Sequence, residues 1–253
     1  MPELVILGSA AAIPAPQHHN THMALVDPQG VILIDCGGTP TLRLAEAGIV
    51  PDQISDVILT HFHPDHVGGL PLLLMNMWLL GRKKALRIYG LHHTLKRVED
   101  LMGFYQWEDW PQFFQVAFHR LPEQEGIQVL KRGNLSISCS PVRHVVPTIG
   151  LRIDFDHGYS IAYSSDTEPC QAVTNLAQGA DVLIHEASGA SVGHSTATQA
   201  AETASQAGVG QLYLIHYPPE AAKDGEMLEA AQKSFSGNIV LAQDLMHIAV
   251  PSG

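Results

Sequence analysis

His61-Phe62-His63-Pro64-Asp65-His66 follows directly on the apolar run Val57-Ile58-Leu59-Thr60. Four groups of metal-ligand chemistry fall within six positions, where a buried strand ends and a turn carrying Gly68 and Gly69 begins. Imidazole and carboxylate are the ligands that borderline cations such as zinc prefer. A lone histidine on an apolar face is usually a hydrogen-bonded core residue. Three histidines and an aspartate spaced H-x-H-x-D-H are not, because only a cation satisfies them together. The stretch reads as a metal site, and its spacing is that of a two-metal one.

This motif resembles the signature of the metallo-β-lactamase fold, whose members are mostly hydrolases with one or two metals at the edge of a sandwich. The resemblance implies an α/β domain built as an αββα four-layer sandwich, with further ligands at later strand ends. His144 in Ser140-Pro141-Val142-Arg143-His144 matches the third histidine. Asp166 in Tyr163-Ser164-Ser165-Asp166-Thr167 matches the bridging carboxylate, and His216 in Leu212-Tyr213-Leu214-Ile215-His216 the last histidine. By the same resemblance His61, His63 and His144 bind one metal, and Asp65, His66 and His216 the other, with Asp166 between them. The implied cofactors are two divalent ions, zinc or manganese. Cations about 3.5–4 Å apart can share a hydroxide and clamp the oxygens of a substrate. Asp65 is implied in a second role, taking a proton from the attacking water.

A further pair narrows the branch. His185-Glu186-Ala187-Ser188 is followed by His194-Ser195-Thr196 and an alanine-rich helix start. These stretches resemble paired loops of the ribonuclease Z branch, as do Leu7-Gly8-Ser9-Ala10 and Val240-Leu241-Ala242-Gln243-Asp244. The resemblance implies that Glu186 and His194 together protonate a departing alkoxide, a general acid worth about 10²–10⁴ in rate. Ser195 or Thr196 also suits a helix N-cap, and the two roles are compatible. Two departures stand out. The transfer-RNA processing enzymes of the branch carry a long arm between the third histidine and the bridging aspartate. Here His144 and Asp166 are 22 positions apart, with room for two short strands only. Their last histidine is usually followed by a Ser-x-Arg-Tyr stretch, where this chain has Tyr217-Pro218-Pro219.

Composition sets the frame. The ligand motifs run from residue 61 to 216 of 253, so neither half can work alone, and one hydrolase domain over 1–253 is expected. Hydrophobic content of 45% against 15% charged residues excludes disorder and suits a sizeable core. Three cysteines, Cys36, Cys139 and Cys170, show no paired spacing and argue for a reducing compartment. Met1-Pro2-Glu3 carries no basic residue before its apolar stretch, unlike a signal peptide, and the apolar run 70–80 is too short to span a bilayer. A cytoplasmic protein without membrane contact is the expectation. Formal net charge is −11, and two divalent cations would still leave −7. Long nucleic acids favour a basic field. The one exception is Arg82-Lys83-Lys84 with Arg87, Lys96 and Arg97, six of fourteen basic residues within sixteen positions. Such a run is usually a solvated face, yet it is the only phosphate track in the sequence.

Period and turn signals give strands over 4–7, 23–26 and 31–34, a helix over 40–47, then the motif. A helix over 70–80, a strand at 87–89 and a helix at 95–102 follow. Strands come next at 113–118, 128–130, 135–138, 149–154 and 160–163. The last third alternates: helix 169–178, strand 181–184, helix 196–207, strand 211–215, helix 219–234, strands 238–241 and 246–250. Layered α/β architecture follows. His18, His19 and His22 read as turn histidines, His92 and His93 as a helix start, and His185 as a neighbour of the ligands. The aromatic stretch Phe104-Tyr105-Gln106-Trp107 with Trp110, Phe113 and Phe114 reads as packing or a homodimer contact. Two functions of different class remain. One is a binuclear phosphodiesterase acting on a small phosphodiester, a cyclic nucleotide or RNA end, with tRNA 3′ processing by an endoribonuclease as the less favoured version. The other is a hydrolase of lactones, thioesters or sulfate esters.

Overall fold

The computed structural model describes residues 2–222 and 225–252. Two seven-stranded sheets carry the chain. The first contains β1 (Glu3–Gly8), β2 (His22–Asp27), β3 (Gly30–Ile34), β4 (Ile54–Ile58), β5 (Leu86–Leu91), β6 (Val116–Leu121) and the last strand, β14 (His247–Ala249). Its order is β14-β1-β2-β3-β4-β5-β6, antiparallel as far as β3 and parallel from β3 to β6. The second contains β7 (Ile127–Arg132), β8 (Leu135–Val142), β9 (Thr148–Phe155), β10 (Ser160–Tyr163), β11 (Val182–Glu186), β12 (Gln211–Ile215) and β13 (Asn238–Leu241). Its order is β13-β12-β11-β10-β9-β8-β7, parallel from β10 to β13 and antiparallel from β7 to β10.

Alternation along the strands assigns the layers. In β1, Leu4 and Ile6 enter the cluster between the sheets, with Met23, Ile32, Ile137, Ile153 and Ile184. Val5 and Leu7 point the other way, into a cluster with Leu44, Leu73, Leu74, Leu95 and Met102. Those residues belong to α1 (Pro40–Glu46), α3 (Leu70–Leu79) and α4 (His92–Phe104), which cover the first sheet. The second sheet is covered by α5 (Gln171–Ala177), α6 (Ala197–Ala207) and α7 (Glu226–Gln232). There Leu183, Leu212 and Leu214 meet Ala200, Ala201 and Ala204, whose small side chains let α6 lie close on the strands. Helix, sheet, sheet, helix is the layer order that the family resemblance implies.

Two expected elements differ, and one unexpected element appears. The strand expected at 113–118 begins at Val116, because Trp107, Trp110 and Phe113 pack on the outer face of the first sheet instead of extending it. Trp78 stacks on Trp110 at 5.1 Å. The single helix expected over 219–234 is a 3₁₀ turn at Pro219–Ala222 and α7, separated at Gly225, whose φ of 81° breaks the helical path; residues 223 and 224 lie outside the described residues. A four-residue helix, α2 (Pro64–Val67), lies inside the metal motif itself, where none was expected.

Candidate metal centre

Every predicted ligand sits just past the end of a strand or on α2. His61 and His63 follow β4, and Asp65 and His66 lie in the first turn of α2. His144 follows β8, Asp166 follows β10 and His216 follows β12. The inner strands of both sheets therefore deliver their ends to one edge, where a rigid sheet can hold loops in fixed geometry. Close backbone approach helps. A Cβ on Gly37 would lie 1.9 Å from the Asp65 carbonyl oxygen, so only glycine lets the loop after β3 meet α2.

The donor atoms of His61, His63, His144 and Asp166 all lie within 4.8 Å of one another, as do those of Asp65, His66 and His216. Their outer partners fix which nitrogens carry lone pairs. The Nδ1 proton of His61 goes to Thr60 Oγ1 at 3.0 Å, while that hydroxyl donates to Asp35. His66 donates Nδ1–H to Asp35 at 2.9 Å, and His144 donates Nδ1–H to the Gly193 carbonyl at 2.7 Å. Ser188 Oγ accepts the Nδ1 proton of His216 at 2.7 Å and donates to that residue's own carbonyl, also at 2.7 Å. All four Nε2 atoms are thus left as acceptors facing inward. Orienting partners of this kind accompany metal-bound histidines.

Inward, the geometry is unsatisfiable by protons alone. His63 Nδ1 lies 3.1 Å from His61 Nε2 and 3.2 Å from His144 Nε2, and one N–H cannot serve both. His66 Nε2 and His216 Nε2 face each other at 3.3 Å. Asp166 Oδ2 stands 3.7, 3.4 and 3.9 Å from the Nε2 atoms of His61, His66 and His144. Its Oδ1 is buried without a hydrogen bond. Buried polar atoms ordinarily find partners, and convergent neutral imidazoles with carboxylates between them form the donor set of a borderline divalent cation. The residues fit two such ions, with Asp166 reaching both groups.

Electrostatics agree. Burial holds His61 well below its ordinary range and lowers His63 and His144, keeping them neutral and able to ligate. Burial also opposes charge on His66, but Asp166 and Asp35 on either side raise it well above that range. Asp166 is pushed up by burial, yet His216 and His66 hold it well below the carboxylate range. Burial likewise disfavours charge on Asp65, and the neighbouring His216 and His66 imidazoles outweigh it and lower the carboxyl below its ordinary range. The carboxylates stay ionised in a buried setting that asks for positive charge.

Glu186 and His194 meet as the sequence predicts. His194 Nδ1 donates to Glu186 Oε1 at 2.9 Å, and this bond raises His194 above its ordinary range. Glu186 is fully buried and also accepts from the backbone N–H groups of Thr167, Ser195 and Ser188. One carboxylate therefore ties the Asp166 loop to both later loops. His194 stacks on His216 with rings 5.9 Å apart and 12° from parallel.

Other sequence candidates fall away. His185 is buried on the helix side of β11, its Nδ1 turned to the Glu186 carbonyl. His19 is held by Asp244 at 2.8 Å, and His22 is buried against the Asn20 carbonyl. The basic run is spent on structure: Arg82 donates to the carbonyls of Lys84, Ile54 and Ala85. Lys84 pairs with Asp52, Arg87 with Asp56 and Lys96 with Asp100. Asp35, Thr60 and Ser188 were not singled out from sequence, since nothing in their spacing says which histidine each one meets.

Against known proteins, the Beta-lactamase superfamily domain matches residues 31–217. The ribonuclease Z of Methanothermobacter thermautotrophicus is 30% identical over 307 aligned positions, covering 99% of this chain and 97% of its own. An alignment longer than this chain leaves stretches of that relative with no counterpart here. Among solved structures, YhfI of Bacillus subtilis, described as a metallo-beta-lactamase fold protein, superposes with a TM-score of 0.84 at 22% identity, covering 98% of each chain. The short form of human tRNase Z superposes with a TM-score of 0.80 at 22% identity, over 99% of this chain and 100% of its own.

Proposed function

This chain belongs to the beta-lactamase superfamily, on the ribonuclease Z-like branch, and is a metal-dependent hydrolase; from that premise we propose that it cleaves a small or short phosphodiester at a binuclear centre. The observation that carries the reading is the His194–Glu186 pair set beside the two ligand groups. His61, His63 and His144 would hold one ion, Asp65, His66 and His216 the second, and Asp166 both. What the ions would supply is Lewis acidity, neutralising phosphoryl charge and bringing the pKa of water toward neutrality. Asp65 lines the open cavity and is positioned to take the proton of the attacking water. His194, its Nδ1 engaged, presents Nε2 to the same cavity and can give a proton to the departing oxygen. Glu186, with both oxygens occupied, touches no substrate and acts by orienting His194.

Zinc or manganese suits the donor set. Tests for tRNA 3′ processing are warranted by the names of the relatives, but β9 and β10 fill the interval between His144 and Asp166. All three cysteines are free, and no described helix is long and apolar enough to cross a membrane.

The test is reconstituted protein assayed on bis-p-nitrophenyl phosphate, cyclic nucleotides, precursor tRNA, a lactone and a thioester. Diester turnover is expected, lost on chelation and restored by zinc or manganese, with close to two ions bound per chain. Asp166→Ala should lose metal and activity together, because its carboxylate reaches both ligand groups. Lactone or thioester turnover without diester turnover would sink the reading, and two tightly held ions in Asp166→Ala would remove the bridge.

A further inference from the structure

One wall of the cavity over the metal centre takes no part in the chemistry. Ala11, Ala12 and Ile13, from the loop after β1, share a cavity of about 590 Å³ with Pro218 and Pro219, from the loop after β12. Asp65, Asp166 and His194 line the same cavity. Ile13 is 82% exposed, a branched apolar side chain kept in water beside the reacting groups. This wall is held in place. Ala10 pairs with both Asn20 and Tyr217, Ala11 N–H donates to the Tyr217 carbonyl at 3.1 Å, and Asn20 Nδ2 donates to the carbonyls of Ala11 and Ala12. The two prolines stiffen the segment after His216.

Among the described residues no lysine or arginine lines the cavity; Glu220 is its only charged residue outside the metal centre. Arg143, beside the ligand His144, leans toward Glu168 at 3.8 Å and is not part of the lining. A phosphate lodged against this wall would lose water and gain no counter-charge, an expensive transfer. An apolar group would remove exposed hydrocarbon from water on both sides, which is favourable.

Resting on the phosphodiesterase reading, we infer that this wall is the specificity subsite: it takes an uncharged, apolar or aromatic ester group of the substrate and disfavours one bearing a further phosphate. Metal-loaded protein would be given p-nitrophenyl phosphodiesters that share the scissile phosphate and leaving group. The other ester group would be methyl, phenyl, 5′-thymidyl, or 5′-thymidyl carrying a 3′-phosphate. The phenyl ester should exceed the methyl ester by about ten-fold or more in kcat/KM, and the added 3′-phosphate should cost a similar factor. Ile13→Asp should bring the phenyl-to-methyl ratio close to one, Ile13→Leu should preserve it, and Ile13→Lys should relieve the penalty on the 3′-phosphate. Equal kcat/KM for methyl and phenyl esters, or an Ile13→Asp protein that keeps the full ratio, overturns the subsite while leaving the phosphodiesterase reading standing. No turnover of any member overturns both.

Discussion

His194 has one nitrogen committed to Glu186, so only Nε2 is free to meet a leaving group. If that nitrogen delivers a proton, the cost of removing it depends on how much the leaving group needs one. His194→Ala should slow cleavage of an alkyl diester by on the order of 10²-fold or more. Release of p-nitrophenolate, already a stable anion, should change little, and metal content should stay normal. Parallel kinetics on the two substrates check this; equal losses would make His194 a phosphate-positioning residue instead. At this scale the sequence was legible wherever a residue's chemistry is unusual for its place. The seven candidate ligands, in four stretches, stand out because carboxylates and imidazoles rarely end apolar strands. Their partners do not stand out: Ser188 is an ordinary loop serine until the fold sets it 2.7 Å from His216 Nδ1. Nor does sequence reveal that Asp35, Ser165 and His216 adopt positive φ angles of 60°, 54° and 50°. Such conformations cost on the order of 1–3 kcal/mol each and gather at functional sites.

At the scale of elements, the parallel strands of the second sheet were read most surely, because burial on both faces leaves unbroken runs such as Leu212-Tyr213-Leu214-Ile215. The aromatic run before β6 misled for a related reason: strand propensity measures fit to a half-buried surface, and these rings found one outside the sheet. The start of α6 was legible to within one residue, with Ser195 or Thr196 as its cap, and the structure selects Thr196. Thr196 caps it, accepting from Gln199 N–H at 3.2 Å, while the Gln199 side chain returns to Thr196 N–H at 2.9 Å. Because His194 lies two residues upstream, this capping box also fixes the end of the loop that carries it. Thr196→Ala should cost about 1 kcal/mol of stability and roughly 2–4 °C in Tm for a chain of this size. Thr196→Ser should recover most of it. Thermal unfolding of the three proteins measures the effect, and an unchanged Tm in Thr196→Ala would show that packing of the alanine face alone holds α6 in place.

For the molecule as a whole, charge and shape bear on the same question, whether a long polyanion can be a substrate. Formal net charge is −11. The basic run from Arg82 to Arg97, the one track that sequence offered for a phosphate backbone, is largely paired with Asp52, Asp56 and Asp100 or turned to backbone carbonyls. The interval that carries a gripping arm in the tRNA enzymes holds only β9 and β10. Affinity for nucleic acid comes chiefly from cations displacing condensed counterions, and for single strands log K falls with log salt by about 0.7 per phosphate contacted. With so few cations free, precursor tRNA should bind weakly and with a shallow slope, while bis-p-nitrophenyl phosphate is still hydrolysed. Binding to labelled precursor tRNA between about 50 and 200 mM salt, the span over which phosphate-rich contacts lose several decades of affinity, separates the cases. Submicromolar binding with a steep slope and site-specific 3′ trimming would overturn the expectation. The Lys83–Gln112 and Arg143–Glu168 contacts, long at 3.5 and 3.8 Å, would then be the first to break toward RNA. Lys83→Glu and Arg143→Glu would each have to flatten the slope by about one phosphate's worth for that account to hold.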